Sequence, residues 1–479
     1  MKKTLFVGAS ALAFALSAPA MAQSNPNTSD VEQTGVGETA VVDQSGSGFN
    51  SSDIDQDGEG NFADVTQVST GADLNSSTVL QTGSADDNDA IVDQTGEGND
   101  NTIEQRGDES LTDVEQNGAG NTSTVLQTAF TNGDETRVDQ SGSQNTSDVT
   151  QSGIAAFTTV TQSNDLDGTQ GNDSSVDQVG LGALTTVDQT GQANISSVSQ
   201  TGALAVIDID QNGEGNDSTV DQLGAAAAVT VDQNGLTNLS VVTQTAAGSI
   251  IDVAQDGTSN DSLVTEIADR SDVGIAQTGS SNEATVSQNA ARTPFFFGTS
   301  LPVLNENQSV SITQGTAGDV GSASGNQASV AQYGRNQNAT ITQIGSNNTS
   351  GTRAGGAGIV QVGESQTATL AQNGSDNSSS IMQGTNGNYL LLTSAASSGN
   401  TASVTQNGDR GQSTVSQNGD GNMATLLQLA GSEDNISSII QAGDNNTANV
   451  TQGGSDNYSG VQQNGNNLSA TVTQNGVGG

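Results

Sequence analysis

The stretch STVDQLG, residues Ser218 to Gly224, is one copy of a short pattern that repeats along the whole chain. Its residues alternate with a period of two and are rich in Val and Thr, and a glycine follows them, which together indicate a β-strand that ends in a turn. The alternation places Val220 and Gln222 on one face of this strand and Thr219 and Asp221 on the other. The face with valine and glutamine is therefore the candidate core.

The glutamine of this copy belongs to a row of anchor positions spaced 11 residues apart. Val or Ile lies two positions before each anchor of this row, and Gly or Ala lies two positions after it. The anchors of the regular stretch are Gln178, Gln189, Gln200, Gln211, Gln222, Gln233, Gln244, Gln255, Glu266, Gln277 and Gln288. From Gln33 to Gln474 the chain has 36 anchors, each with Val, Ile or Leu two positions earlier. A fixed period of this kind indicates stacked repeats.

An 11-residue period also occurs in helices that form a right-handed supercoil. A glycine in every repeat would cost such a helix about 1 kcal/mol each time. Because the copies alternate and contain few helix-forming residues, the strand interpretation is favoured over the helical one.

The true repeat is two copies long. Five positions after the anchor, Ala or Ser alternates with asparagine, which occurs at Asn194, Asn216, Asn238, Asn260 and Asn282. The predicted fold is therefore an all-β, two-sheet parallel β-solenoid of about 18 coils, each coil having 22 residues and two strands. Each strand pairs in parallel with the strand one coil away, and the buried Gln and Asn side chains are expected to form hydrogen-bonded amide ladders.

The sequence predicts six segments along the chain. Residues 1–22 have two lysines, a short apolar run and Ala20-Met21-Ala22, which is the pattern of a secretory signal peptide. No later apolar run is long enough to span a membrane. The remaining segments are a short leader at 23–29, a regular solenoid at 30–288, an insertion at 289–311, a less regular solenoid at 312–476 and a tail at 477–479. Insertions are expected at turns, where they leave the stacking intact.

The composition argues against several classes of function. Without the signal peptide, which contains the only two lysines, the chain has 7 Arg against 53 Asp and Glu, so its net charge is 7 − 53 = −46 and nucleic acid is an unfavourable partner. Cys and His are absent, and an enzyme would depend on carboxylates and Arg alone. The acidic residues recur with the repeat instead of clustering once, so neither an enzyme nor a cofactor is predicted.

Acidic residues directly precede 12 of the first 18 anchors and none of the last 18. Asp188, Asp210 and Asp232 are 22 residues apart and are expected to stack on one solvent-facing side of the solenoid. Carboxylates about 5 Å apart repel each other by roughly 1 kcal/mol even in water. The row is most simply a solvated face that keeps the protein soluble, and the sharper hypothesis is a weak cation ladder through which divalent cations or acid control assembly.

The repeat resembles that of the curlins, the subunits of bacterial curli amyloid. The resemblance rests on Ser six positions before the anchor, Gly two after, Asn five after and a second Gln eleven after, as in Ser271, Gln277, Gly279, Asn282 and Gln288. It implies export through an outer-membrane curli-type secretion pore and assembly at the cell surface of a Gram-negative-type bacterium into cross-β fibres of the biofilm matrix. The implied partners are copies of the same chain and other curlin subunits.

Two further alternatives stay open at this stage. A monomeric secreted solenoid could use its flat faces to bind calcium, glycan or ice, although outward positions mix Asp, Thr, Ser and Ala on both predicted sheets. The apolar run Phe295 to Phe297 inside the insertion is expected to cover the solenoid edge locally, and docking of a partner is the alternative.

Overall fold

The computed structural model of the chain describes residues 27–128, 132–164, 170–289, 307–315, 324–352, 356–384 and 397–476. These residues form β-strands and turns without helix, and they fall into two compact units that divide between Gly215 and Asn216. None of the described segments forms an apolar helix of membrane-spanning length. The predicted signal peptide, residues 23–26 and the run Phe295 to Phe297 lie outside the described residues.

The described residues of unit 1 form sixteen strands. They are β1 (Thr28–Val36), β2 (Thr39–Gly46), β3 (Asn50–Glu59), β4 (Phe62–Ser69), β5 (Asn75–Asp86), β6 (Asp89–Glu97), β7 (Asp100–Gln105), β8 (Leu111–Ala119), β9 (Thr122–Gln127), β10 (Glu135–Ser143), β11 (Thr146–Gln151), β12 (Phe157–Ser163), β13 (Asp173–Leu181), β14 (Leu184–Gln192), β15 (Ile195–Ala203) and β16 (Val206–Glu214).

Unit 2 contains the remaining described strands. They are β17 (Asp217–Gln222), β18 (Ala228–Leu236), β19 (Leu239–Gln244), β20 (Ile250–Thr258), β21 (Asp261–Glu266), β22 (Asp272–Ser280), β23 (Glu283–Asn289), β24 (Ser309–Gln314), β25 (Gln327–Arg335), β26 (Asn338–Ile344), β27 (Thr349–Thr352), β28 (Gly356–Ala357), β29 (Ile359–Glu364), β30 (Thr367–Asn373), β31 (Ser378–Gln383), β32 (Thr401–Gln406), β33 (Gln412–Asn418), β34 (Met423–Gln428), β35 (Ile436–Ala442), β36 (Thr447–Gly453), β37 (Tyr458–Asn464) and β38 (Ser469–Asn475).

Each unit is a two-sheet solenoid. Apart from β28, odd-numbered strands pair with odd-numbered strands in one sheet and even-numbered strands with even-numbered strands in the other, and these pairs are parallel. The predicted all-β, two-sheet parallel β-solenoid is confirmed, with about 17 turns of about 23 residues in place of 18 coils of 22. The longer average coil reflects extra residues at several turns, such as the 27-residue offset that pairs Gln162 with Gln189.

The register aligns anchor with anchor in successive coils. In the pair of β14 with β16, Val187 lies opposite Ile209 and Gln189 opposite Gln211. All four side chains are fully buried between the two sheets. Each coil therefore buries its aliphatic and amide side chains against both the facing sheet and the next coil, as the alternation predicts.

Some turns require glycine because successive coils approach closely there. A Cβ atom on Gly257, whose φ is 132°, would lie 1.9 Å from the carbonyl oxygen of Gly279 in the next coil. A side chain at this position would thus combine backbone strain with a steric clash. This close approach explains the glycine two positions after so many anchors.

One insertion, residues 351–358, lies inside a strand position, whereas the sequence predicts insertions at turns. Strands β27 and β29 share a single rung, and the chain leaves between them to form an antiparallel hairpin with β28. Ser350 pairs with Ser379 and Ile359 with Ile381, so the departing segment replaces the single position occupied by Ser380. Because that position faces outward, the chain can leave and return without disturbing the buried face.

The insertion predicted at 289–311 is described only at its ends. Asn289 ends β23, and β24 begins at Ser309, so the last three residues of the predicted insertion are strand residues. The two residues Val310 and Ile312 of β24 are buried like the aliphatics of other coils. The regular stacking is therefore restored before Gln314.

Candidate functional site: amide ladders and coil edges

The buried anchor glutamines form continuous rows of hydrogen-bonded amides. In the even-strand sheet of unit 1, each Nε2 donates to Oε1 of the glutamine in the next coil at 2.7 to 2.8 Å. The second N–H is also used, since Nε2 of Gln116 donates to the main-chain oxygen of Asp100 across the core at 3.0 Å. Both donors of the amide are thereby satisfied, which removes the cost of burying them.

The single row of anchors in the sequence becomes two rows in space. In unit 1, Gln178 donates to Gln200 in the odd-strand sheet and Gln189 to Gln211 in the even-strand sheet, both at 2.8 Å. In unit 2 the contacts are Gln222 to Gln244, Gln233 to Gln255 and Gln255 to Gln277, each at 2.8 Å. Gln288 donates to Gln332 at 2.9 Å, 44 residues further along the chain. The alternating half-repeats thus form the opposite walls of the core in each unit.

The asparagines form a third row at the turn that leads from an even to an odd strand. Nδ2 donates to Oδ1 of the preceding asparagine in the pairs Asn194 with Asn172, Asn238 with Asn216, Asn260 with Asn238 and Asn282 with Asn260, at 3.0 to 3.2 Å. The same oxygens accept the main-chain N–H of the next asparagine. Each turn is therefore fixed to the turn of the adjacent coil.

A group of threonines links the two walls and was missed by sequence reasoning. Thr112, Thr136, Thr158 and Thr185 lie four positions before the anchors of β8, β10, β12 and β14, and each hydroxyl donates to a glutamine Oε1 of the opposite sheet at 2.7 to 3.2 Å. The only sequence signal was threonine at four successive inward positions where other coils have mainly Ala, Val or Ser. These hydroxyls connect the odd and even ladders of unit 1.

The acidic residues before the anchors lie on the outer faces. Asp188 and Asp210 are register partners in adjacent coils of unit 1, whereas Asp232 of unit 2 has Ala254 as its partner in β20. Partial burial, followed by the charges of Asp210 and Asp208, raises the pKa of Asp188 above its ordinary value. No group of three or more acidic or other metal-binding side chains among the described residues is arranged to hold a metal ion. Control of assembly through this row stays a prediction.

The terminal coils are less buried than the others. Among the described residues, β1 pairs only with β3, β2 only with β4, β37 only with β35 and β38 only with β36. The inward residues Val42 of β2 and Val472 of β38 are partly exposed, in contrast to the fully buried valines of inner coils. These coils present both unpaired strand edges and incompletely covered core side chains.

Unit 2 also has a polar cleft of about 690 Å³ beside the β27–β28 hairpin. Hydroxyl, amide and charged side chains line it, among them Ser380, Gln412 and Thr414. Arg410 at its rim pairs with Asp434 at 2.8 Å, and both are exposed to solvent. The cleft is thus a shallow polar surface outside the solenoid core.

Two segments of the chain match a known repeat family. The family model of the curlin associated repeat matches residues 398–429 and 443–476, which contain β32 to β34 and β36 to β38. No curated protein matches the chain. In both segments the fitted glutamines are the buried anchors of the ladders, such as Gln406 and Gln452. The chain therefore carries repeats of the curlin type.

Proposed function

We propose that this protein is a secreted structural subunit that assembles into extracellular curli-like amyloid fibres, for a biofilm matrix and surface adhesion. The curlin-type repeats and the β-solenoid fold support a structural and not an enzymatic role. Export through a curli-type outer-membrane pore and a place at the surface of a Gram-negative-type bacterium belong to the same proposal. Its principal partner is a second copy of the chain.

The observation that carries the proposal is that the terminal coils have unpaired strand edges and partly exposed core side chains. Strand β38 alternates between exposed and partly exposed residues, and its inward residues Val472 and Gln474 are partly exposed. Strand edges of this kind are templates for the addition of another strand. An incoming copy with the same repeat supplies a valine and a glutamine in register, and so continues the core and the amide rows.

The experiment compares two substitutions in β38 that differ only in the side on which they lie. Val472→Lys places a charge on the inward face of the edge strand, whereas Thr473→Lys places the same charge on its exposed outer face. Residues 23–479 of each variant are incubated with fragmented fibres of the parent protein. Elongation is followed by electron microscopy and by fibre diffraction for the strand spacing of about 4.7 Å.

We expect the parent and Thr473→Lys to form unbranched fibres, and Val472→Lys to be incorporated slowly or to end growth. Equal growth of the two variants would show that β38 is not an assembly edge. A parent protein that remains monomeric at high concentration would contradict the polymer function itself.

A further inference from the structure

The glutamine ladder of unit 2 is interrupted at one rung of the odd-strand sheet. Glu266 occupies an anchor position between Gln244 of β19 and Gln288 of β23. Gln244 Nε2 donates to Glu266 Oε2 at 3.2 Å, as it would to a glutamine. Glu266 Oε1 and Gln288 Oε1 are both buried and have no hydrogen-bond partner among the described residues.

The break follows from the chemistry of the side chain. On either side the ladder is intact, with Gln222 donating to Gln244 at 2.8 Å and Gln288 to Gln332 at 2.9 Å. A glutamine at position 266 would donate a hydrogen bond from Nε2 to Gln288 Oε1. A glutamate has only oxygen atoms, so an ionised Glu266 presents one acceptor to another acceptor. Protonation of Oε1 would create the missing donor.

The surroundings of Glu266 provide little that could stabilise a charge. Its side chain is fully buried, and the inward residues of β19, β21 and β23 are neutral apart from Glu266 itself. The nearby Ser249 hydroxyl donates to the main-chain oxygen of Ala268 at 2.9 Å. The charged residues on the elements packed around Glu266 lie on outer faces or in the following turn, and they are Asp252, Asp256, Asp261, Asp269, Arg270, Asp272 and Glu283.

We propose that Glu266 is a proton-binding site of the solenoid. When Oε1 carries a proton, its O–H group donates a hydrogen bond to Gln288 Oε1 and so completes the glutamine ladder of unit 2. The proton comes from solvent and returns to it when the carboxyl group ionises. Acid therefore closes the ladder and alkali opens it. The site does not depend on fibre formation, since all its groups lie within one chain.

The electrostatics agree with this geometry. Burial raises the pKa of Glu266 to about 8, the nearby polar groups of Gln244 and Ser249 oppose this rise, and the charges of Asp272 and Asp269 add to it. The unfolded chain has the ordinary value near 4.5. Between these two values the folded state binds one more proton than the unfolded state, so the contribution of Glu266 to stability falls as pH rises from about 4.5 to 8.

The test compares the parent with Glu266→Gln, which supplies a permanent donor, and with Glu283→Gln, which removes an exposed carboxylate of the next strand. Thermal unfolding of the full mature chain is measured from about pH 5 to 9. We expect the Tm advantage of Glu266→Gln over the parent to grow by about 5 °C or more across this range. The Tm of Glu283→Gln should change with pH as steeply as the Tm of the parent.

Two further measurements distinguish a proton site from a general effect of charge. Gln277→Glu, in the intact ladder of the facing sheet, should create a second pH-dependent break, because Gln277 Nε2 donates to Gln314 at 2.9 Å. Infrared spectroscopy near about pH 6 should show a protonated carboxylic acid band that Glu266→Gln lacks. A Tm difference between Glu266→Gln and the parent that does not change with pH, or the absence of that band, would overturn the proposal.

Discussion

Nε2 of Gln94 lies 2.8 Å from Oε1 of Gln116 in the next coil, and both side chains are fully buried. Gln116 Nε2 in turn donates to Gln140 Oε1, also at 2.8 Å. Each amide thus satisfies one neighbour with its oxygen and the other with its nitrogen. The loss of any one amide leaves both neighbours with an unmade bond.

Gln116→Ala should therefore cost more than the loss of one hydrogen bond. The buried N–H of Gln94 and the oxygen of Gln140 lose their partners and a cavity forms, so we expect a loss of about 2–4 kcal/mol. Urea unfolding of unit 1 measures this loss through a lower midpoint. Asn117→Ala, at the adjacent exposed position, is the control, and equal midpoints for the two variants would contradict a stabilising role of the ladder.

The close approach of glycines predicts a second contrast, within unit 2. Gly257→Ala adds a Cβ that would lie 1.9 Å from the oxygen of Gly279, at a φ of 132°. We expect a loss of about 2 kcal/mol or more from strain and displacement of the coil. Gly274→Ala, where no atom lies within 4 Å of the added Cβ, should leave the Tm unchanged or raise it slightly. Similar losses in both variants would argue against the close-approach explanation.

The threonine hydroxyls should add a smaller amount. Thr136 Oγ1 donates to Gln151 Oε1 at 2.7 Å, and Thr136→Val removes this bond at nearly constant volume. Since Gln151 Oε1 still accepts from Gln127 at 3.0 Å, we expect a loss of only about 1 kcal/mol. Thr146→Val on the exposed face of β11 is the control. Equal denaturant midpoints for Thr136→Val and Thr146→Val would show that this threonine hydrogen bond does not stabilise the fold.

The acidic outer face predicts a dependence on pH that is separate from Glu266. Burial, Asp210 and Asp208 raise the pKa of Asp188, so its charged form is disfavoured in the folded state. Unit 1 should therefore gain stability as pH falls from about 7 towards 4, and the double variant Asp188→Asn/Asp210→Asn should weaken this gain. Asp177→Asn, which also lies directly before an anchor and whose register partners Thr150 and Ser199 are uncharged, is the matched control.

Seeded elongation rates provide the corresponding assembly measurement. If repulsion within the acidic row slows the approach of a second copy, then acid or calcium should accelerate growth of the parent more than that of the double variant. Rates that are indifferent to calcium and to pH between about 4 and 7 would eliminate this role.

The main features of the fold could be predicted because the repeat encodes them many times. The alternation at Val220 and Gln222 specifies the inward face, and the 22-residue unit specifies parallel pairing, both of which the structure has. The hairpin between Ser350 and Ile359 could not be predicted. The chain leaves and re-enters the strand at an outward-facing position, so the pattern of buried residues is unchanged. The sequence shows Glu266 as a departure from Gln, but only the register reveals that one oxygen faces another.

The glutamine rows also have a direction, whereas in the asparagine row Nδ2 donates towards the coil of lower residue number. In each unit, Nε2 donates towards the coil of higher residue number, as from Gln44 to Gln67 and from Gln452 to Gln474. The first coil of unit 1 consequently offers glutamine oxygens, and the last coil of unit 2 offers glutamine N–H groups. Two faces that both offer glutamine oxygens cannot satisfy each other, so the proposed assembly would join the first coil of one copy to the last coil of another, a head-to-tail contact that does not close into a symmetric dimer.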